Sequence, residues 1–371
     1  IALIVPGLLV GGCERHVVKL ARALHARGVY VCVIVLQGRL ARPLASGLPS
    51  GVPLLATHFH RRDPRLIAWL GRKLHEQRID VAHSFLWYGD TIAALACALF
   101  SRVPLIASER GDRGSVYYSR TRHLLDRLLT FRVARRVCAN SRFGAELLAS
   151  LGCPAGKVRV ISNGIDLAEM DQAPSLDLRR EFGIPVSAPT VGVVSRLVWY
   201  KAVDLIVRAF TRLAPELGAH LLIVGDGPQR AELEALVARG GIGDRVHFAG
   251  VRAGAEVAMR DVNVAALATR TTEHCSNSIL EYMACARPVV ATRSAGTPEL
   301  VTDGSTGLLI DVDDEAALVA ALTRLLTEPH EARAMGLAGR QWIADEATMD
   351  RVADRFVALC HEAAREQAPR G

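Results

Sequence analysis

One pattern constrains this chain more than any other: hydrophobic runs of strand length alternate with amphipathic stretches of helical length from the first residue almost to the last. Residues 1–6 read as a strand, 14–27 as a helix, 30–36 as a second strand, 64–77 as a helix and 81–85 as a strand. Strands at 105–108 and 136–139 continue the series. A stretch rich in Asp, Pro and Ser, about 170–188, reads as a loop, and the pattern then restarts with strands at 190–194, 219–224, 246–248, 264–267 and 288–291. Strands alternating with helices predict parallel sheets covered on both faces. Two such series predict two doubly wound α/β domains, in keeping with a 371-residue chain that is long for one core. Sheets of this kind bind ligands beyond the carboxyl ends of their strands, so a shared site is expected in a cleft between the domains. The last stretch, 339–366, has helical periodicity and many charges.

Half of the residues are hydrophobic and 22% are charged, which excludes a disordered chain. No run approaches the roughly 20 apolar residues of a membrane-spanning helix, and 91–100 reads instead as a buried element. No leader pattern is visible, although the chain opens on Ile1 within an apparent strand and not on Met. The eight cysteines (13, 32, 97, 138, 153, 275, 285 and 360) form no CxxC pair and no Cys/His metal spacing. They read as small core residues of a protein in a reducing cytoplasm, and zinc is not expected. The charge of +7 is unevenly spread, +13 in residues 1–170 and −6 in 171–371. The basic half should face something anionic: nucleic acid, phospholipid head groups or a phosphate-bearing acceptor.

The most informative segment runs from Glu273 to Glu281, where two carboxylates bracket a polar turn that opens a helix. A helix start offers backbone N–H groups and partial positive charge, a good seat for phosphate. Ser276, Asn277, Ser278 and Ile279 would supply those amides, with a Glu on either side to reach sugar and ribose hydroxyls. Ser278-Ile-Leu-Glu281 is equally a capping box, in which Glu281 serves only its own helix. Arg196 and Lys201 follow a strand and would hold a diphosphate, or else they are solvated surface charges. Gly11-Gly12 opens a helix after the first strand, either for close approach to a ligand or as a plain turn. No GxGxxG accompanies it, so a dinucleotide site fits poorly. His83 and Glu109 sit at strand ends, where either a ligand or the core could claim them. Residues 110–142 carry nine arginines against Asp112 and Asp126, with Leu124, Leu125, Leu128, Leu129 and Val133 at helical spacing. That pattern fits a helix lying on an anionic membrane, or the outer helix of a domain.

Glu273 and Glu281 match the E-x7-E motif of retaining glycosyltransferases of family 4, and other stretches resemble that family in order and spacing. They are residues 191–201 with Arg196 and Lys201, Leu222-Ile-Val-Gly-Asp-Gly-Pro228, Arg287-Pro-Val-Val-Ala-Thr292, Gly296-Thr-Pro-Glu299 and Gly304-Ser-Thr-Gly307. Gly11-Gly-Cys-Glu14 and Ile161-Ser-Asn-Gly-Ile-Asp166 agree in the first half. The resemblance covers nearly the whole chain.

It implies a GT-B fold: two Rossmann-like domains facing each other across a cleft, an acceptor-binding one over 1–170 and a donor-binding one over 176–340. A terminal helix within 341–371 would cross back to the first. It implies transfer of a sugar from a UDP- or GDP-sugar to an acceptor hydroxyl, with retention and without a permanent cofactor or obligatory metal. The acceptor would be lipid-linked or a glycan precursor of the cell envelope, and nucleic acid is not an implied partner. Glu273, Arg196, Lys201 and His83 would be the catalytic set. Gly11, Gly12, residues 276–279, Glu281, Gly250, Val251 and Arg252 would bind the donor, with Glu109 and Arg110 on the acceptor side. The basic 110–142 segment would place the protein on the inner face of the cytoplasmic membrane. Several positions depart from the family's usual residues: His274, Ala202 and Ala286 stand where glycine is common, and Ser195 and Ser162 replace Gly and Pro. A nucleotide-sugar 2-epimerase of the same fold, and a nucleotide-binding module without turnover, are the alternatives.

Overall fold

The computed structural model describes residues 1–9, 11–40, 42–111 and 119–365. Two wholly parallel sheets organise them. The first contains β1 (Ala2–Val5), β2 (Cys32–Val35), β3 (Leu54–Ala56), β4 (Ala82–Ser84), β5 (Leu105–Glu109), β6 (Arg136–Ala139) and β7 (Val158–Val160), in the order β3-β2-β1-β4-β5-β6-β7. The second contains β8 (Thr190–Val194), β9 (His220–Val224), β10 (Val246–Gly250), β11 (Val264–Leu267), β12 (Val289–Thr292) and β13 (Gly307–Ile310), in the order β10-β9-β8-β11-β12-β13. Strands covered on both faces should be hydrophobic throughout, without alternation. Accordingly every residue of β1, β2 and β12 is buried. The edge strands β3 and β7 have three residues each and no buried position; β3 is apolar but too short to stand out, and β7 carries Arg159 at its centre.

Strand order reverses between β1 and β4 in one sheet and between β8 and β11 in the other. Crossovers depart to opposite faces at such a point and leave a crevice at the carboxyl ends of the strands. Two fold features therefore single out the loops after β1, β4, β8 and β11.

The chain divides into two compact units, one of residues 1–164 with the helix Met349–Arg365, the other Ile165–Thr348. The 339–366 stretch is not one helix. Pro329–Glu346 and Met349–Arg365 are separate, because Ala347 and Thr348 are drawn into an extended contact with Ile165. The Ile165 amide donates to the Ala347 carbonyl at 2.9 Å. The 170–188 stretch likewise holds short helices, Leu167–Gln172 and Leu178–Glu181. The Asp166 carboxylate caps the first by accepting from the Glu169 amide at 2.8 Å, so the stretch opens on a helix start and not on a loop.

The helix Met349–Arg365 buries Val352, Phe356 and Leu359 in the same core as Leu3, Val17 and Phe85. Ion pairs fasten it at both ends: Arg27 to Asp354 at 2.8 Å, and Arg136 on β6 to Glu362 at 2.9 Å. Arg136 is thus a buried partner of Glu362 and not part of an outer basic face, unlike Arg120, Arg127 and Arg132, which are exposed. No helix among the described residues is long and apolar enough to cross a membrane.

Candidate functional site

In the second unit the loops after β8 and β11 meet through one ion pair, Lys201 Nζ to Glu273 Oε2. The side chains are 18% and 20% exposed, so the pair is shielded from water yet reachable. Arg196 lies in the same loop as Lys201 and donates to the Tyr200 hydroxyl at 2.5 Å. Three cations and acids outside the sequence-derived set brace this loop. Arg270 grips Asp204 with two bonds of 2.7 and 2.8 Å and Asp313 with a third of 2.8 Å. Its amide also donates to the Tyr200 carbonyl at 2.9 Å, which fixes the turn carrying Lys201. The Glu273 carbonyl accepts from the Gly296 amide at 2.9 Å, and Ser294 donates to the Thr271 carbonyl at 2.9 Å. A bidentate guanidinium–carboxylate contact fixes orientation as well as charge, and such outer contacts hold a site in place.

The helix Asn277–Ala284 begins beside this pair. Tyr282 is fully buried; its hydroxyl accepts from the Val194 amide at 2.8 Å and donates to the Val194 carbonyl at 3.1 Å. Ser278 donates to that same carbonyl at 3.1 Å. The helix start is thereby tied to the end of β8, next to Arg196. The capping-box reading fails on this geometry: the helix is preceded by Ser276, and Ser278 lies within its first turn with its hydroxyl engaged elsewhere. Glu281 is buried one turn further on. The amides of residues 277–279 have no carbonyl four residues back within the helix, as at any helix start.

Gly225 shows why the β9 turn must be glycine-rich. Its φ is +132°, and an added Cβ would lie 1.9 Å from the Ser195 carbonyl oxygen. The β9 turn therefore presses directly on the Arg196 loop, with Leu197 donating to Asp226 and Gln229 to Leu197, both at 3.0 Å. Ala202 and Ala286, which stand at usual glycine positions, both have left-handed backbones, with φ of 43° and 54°. The family glycine is thus a conformational requirement that this chain meets with alanine. His274 is buried. Gly250 has φ +69°, Val251 is 77% exposed, and Arg252 pairs with Glu181, so this stretch is not drawn into the Lys201–Glu273 cluster by any of these contacts.

The first unit has a different cluster at its own reversal point. His83 on β4 is fully buried, with Nε2 2.6 Å from the Ser108 hydroxyl and its ring stacked on Phe85 at 4.4 Å. Burial, assisted by the nearby Arg110 charge, holds its pKa well below the ordinary value, so it is a neutral imidazole. His16, one turn into the helix Gly12–Ala26, is buried against Phe85 and Phe356 and held neutral for the same reasons. Arg110 is sandwiched between Phe85 and Phe356 at 5.5 and 5.8 Å, and its Nη1 donates to Asn163 at 2.6 Å. Among the described residues its Nε and Nη2, the edge that grips an oxyanion side-on, find no hydrogen-bond partner. Glu109 is buried and turns back to accept from the Gly111 amide at 2.5 Å. Gly11 has ordinary extended backbone, and an added Cβ would meet only the end of the Glu14 side chain. No packing within the unit demands glycine there. The reading of the sequence did not find His16, Phe85, Phe356, Asn163, Tyr282, Asp204 or Arg270. Tyr282 had a signal in its place one residue after Glu281, Asn163 in the 161–166 stretch, and Phe85 at the end of the strand that carries His83.

Residues 112–118 of the basic segment lie outside the described residues. Its helical part spans Arg120–Leu125, a wider turn Asp126–Thr130 and Phe131–Val133. Leu124, Leu125 and Leu128 are 54%, 42% and 53% exposed. All eight cysteines are free, and no group of three or more His, Cys, Asp or Glu among the described residues is placed to hold a metal.

Two doubly wound units, each with a parallel sheet and its own reversal point, make this a fold of the GT-B class. The same architecture recurs in the Anabaena protein HepE solved with UDP, at a TM-score of 0.86 and 22% identity, covering 97% of this chain and 99% of that one. The family model described as Glycosyltransferase Family 4 matches residues 10–169, and that of Glycosyl transferases group 1 matches 188–328. The chain belongs to glycosyltransferase family 4. A GDP-mannose-dependent alpha-(1-6)-phosphatidylinositol monomannoside mannosyltransferase of Mycolicibacterium smegmatis is 35% identical over 216 residues. That match spans 55% of this chain and 56% of the relative's length. The lipopolysaccharide core biosynthesis glycosyltransferase LpsE of Rhizobium meliloti is 27% identical over 349 residues, 94% of this chain and 95% of the relative.

Proposed function

We propose that this chain moves a sugar from a nucleoside diphosphate sugar to an acceptor hydroxyl, with retention at the anomeric carbon. The observation that carries the reading is the Lys201–Glu273 pair, held between the β8 and β11 loops beside Arg196 and the start of the helix Asn277–Ala284. In the reading, Lys201 and Arg196 meet the diphosphate and Glu273 is released to a hydroxyl of the donor sugar. The first amides of the helix take phosphate oxygens, Glu281 takes the ribose, and Gly250 to Arg252 line the base. As the bond from the anomeric carbon to the phosphate oxygen breaks, the acceptor oxygen bonds to that carbon on the same face. Its proton passes to the departing phosphate oxygen, which gives nucleoside diphosphate and glycoside. Negative charge grows on the diphosphate during this step, so fixed cations there stabilise the transition state more than the ground state.

The first unit would take the acceptor, with Arg110, Glu109 and neutral His83 in contact with it and Gly11-Gly12 admitting a ligand close to the backbone. Relatives named for lipid and lipopolysaccharide acceptors support an envelope glycan or lipid-linked acceptor. The exposed Leu124, Leu125 and Leu128 between Arg120, Arg127 and Arg132 support contact with an anionic membrane face inside the cell. Solved neighbours carry UDP, and a close relative in sequence is named for GDP-mannose, so both nucleotides belong in the test. A melting-temperature screen with UDP, GDP and their sugars identifies the donor, because a ligand raises stability in proportion to its affinity. The proton–proton coupling at the anomeric centre of the product then reports its configuration. No response to any nucleotide would remove the donor reading, and an inverted product would remove retention.

A further inference from the structure

The first unit has another concave site, apart from the buried cluster around His83. Beyond the carboxyl ends of the neighbouring strands β2 and β3 lies a cavity of about 330 Å³, at the lower end of the roughly 300–1,000 Å³ that small-molecule sites occupy. Arg39, His58, His60 and Arg61 line it together with Phe59, and none of the described residues that line it is an acid. The shape is built in. Gly38 donates to the Thr57 carbonyl at 3.2 Å, and an added Cβ at Gly38 would lie 2.1 Å from that oxygen, so the two walls meet only through glycine. The Thr57 hydroxyl accepts from the Phe59 amide at 3.1 Å and turns the chain at the β3 wall. On the β2 side, the Gln37 amide donates to the Pro6 carbonyl at 3.0 Å, which links the cavity to the end of β1.

Charge around the cavity is unbalanced. Asp63, two residues beyond the lining residue Arg61, is committed to Arg65 at 2.6 Å. Arg61 lies over the Tyr88 ring at 4.9 Å, a contact that leaves its N–H edge available. Among the described residues neither Arg39 nor Arg61 has an ion-pair partner, whereas Arg27, Arg65, Arg136 and Arg159 all do. Uncompensated cations converging on a concave surface raise the local concentration of anions, and arginine suits phosphoryl and carboxylate groups alike.

We infer that the acceptor of this enzyme is itself anionic, and that the cavity between the β2 and β3 ends holds its phosphoryl or carboxylate group. The inference rests on the reading that the first unit takes the acceptor. Arg39 and Arg61 are the charged contacts, the two histidines add donors, and the Phe59 ring offers an apolar wall to the sugar that carries the charge.

Three probes sharing one ring test this: glucose 6-phosphate, glucuronate and glucose, titrated calorimetrically into protein saturated with nucleoside diphosphate. At least one anion should bind about tenfold or more tightly than glucose, the size of effect one charge-assisted contact gives. A preference for the phosphate alone assigns a phosphoryl group, and a preference for both assigns an oxyanion of either kind. Exchanging Arg39→Gln and Arg61→Gln together should erase the preference, while Arg39→Lys with Arg61→Lys should keep part of it. Equal binding of all three probes, or a preference that survives the glutamine pair, overturns the inference. The unfolding transition of the first unit, measured on each variant, separates loss of fold from loss of this site. If the protein binds no nucleotide at all, it is the transferase reading that fails, not this one.

Discussion

The two reversal points of this molecule are solved in opposite ways. Around β8 and β11 the polar groups are paired: Lys201 with Glu273, Arg270 with Asp204 and Asp313, Tyr282 with both backbone groups of Val194. Around β1 and β4 aromatic rings take a larger part: His83, His16 and Arg110 pack on Phe85 and Phe356, with single polar contacts from His83 to Ser108 and from Arg110 to Asn163. A paired network fixes geometry through direction, and it is compensated before any ligand arrives. A ring-lined pocket fixes geometry through packing and leaves its one cation short of partners. On the function proposed above, the second unit suits a ligand of fixed chemistry, such as a diphosphate, and the first one that varies.

The contrast can be broken experimentally. The largest expected effect is on chemistry: Glu273→Ala or Lys201→Ala should each lower kcat by about 10²–10³-fold with little change in melting temperature, the scale of removing one electrostatic contact to a transition state. Near-normal turnover in either variant would show that the paired cluster is only structural. Phe356→Ala should cost the first unit about 3–5 kcal/mol, seen as an earlier unfolding transition, with nucleotide affinity unchanged. Coincident loss of nucleotide binding would show that the units are not energetically separate.

Acid should also act on the first unit. His16 and His83 are held neutral by burial, below their unfolded pKa of roughly 6.5, so the unfolded chain takes up protons that the folded one does not. Stability from these groups is fully present above that value and declines as pH falls through it, by about 1.4 kcal/mol per pH unit for each histidine until its folded pKa is reached. Urea titrations from pH 7.5 to 5.5 measure this, and His16→Phe should flatten the slope. Tyr282→Phe should cost about 1–3 kcal/mol, because it strands the Val194 amide, and should raise the nucleotide Kd by loosening the Arg196 loop. The smallest effect runs the other way. Ala286→Gly should stabilise by up to about 1 kcal/mol by relieving a left-handed alanine, readable as a rise in melting temperature.

The paired site was legible because its residues are close in sequence and follow strands with strong hydrophobic signals. Glu273 and Glu281 share a turn and a helix, and Arg196 and Lys201 share one loop. The aromatic cluster was not, since Phe356 reaches His83 from a helix 273 residues further along the chain. A phenylalanine in a helical stripe reads as core, and only the fold says which core. The same limit applies to Arg270 and Asp204, whose spacing carries no period, and to β3 and β7, whose three residues each are too few to show one. The break at Ala347–Thr348 escaped the periodicity because it depends on Ile165, far away in the chain.

That break has a consequence for how the protein is made. The second unit is an insertion, complete once residues 165–348 have been synthesised, whereas the first cannot close its core until Val352, Phe356 and Leu359 leave the ribosome. Domains usually mature from the N-terminus onward during synthesis. Here the order is inverted: the second unit can finish first. The unit that begins the chain must wait, with the pocket around Phe85 lacking one wall, until its last helix arrives.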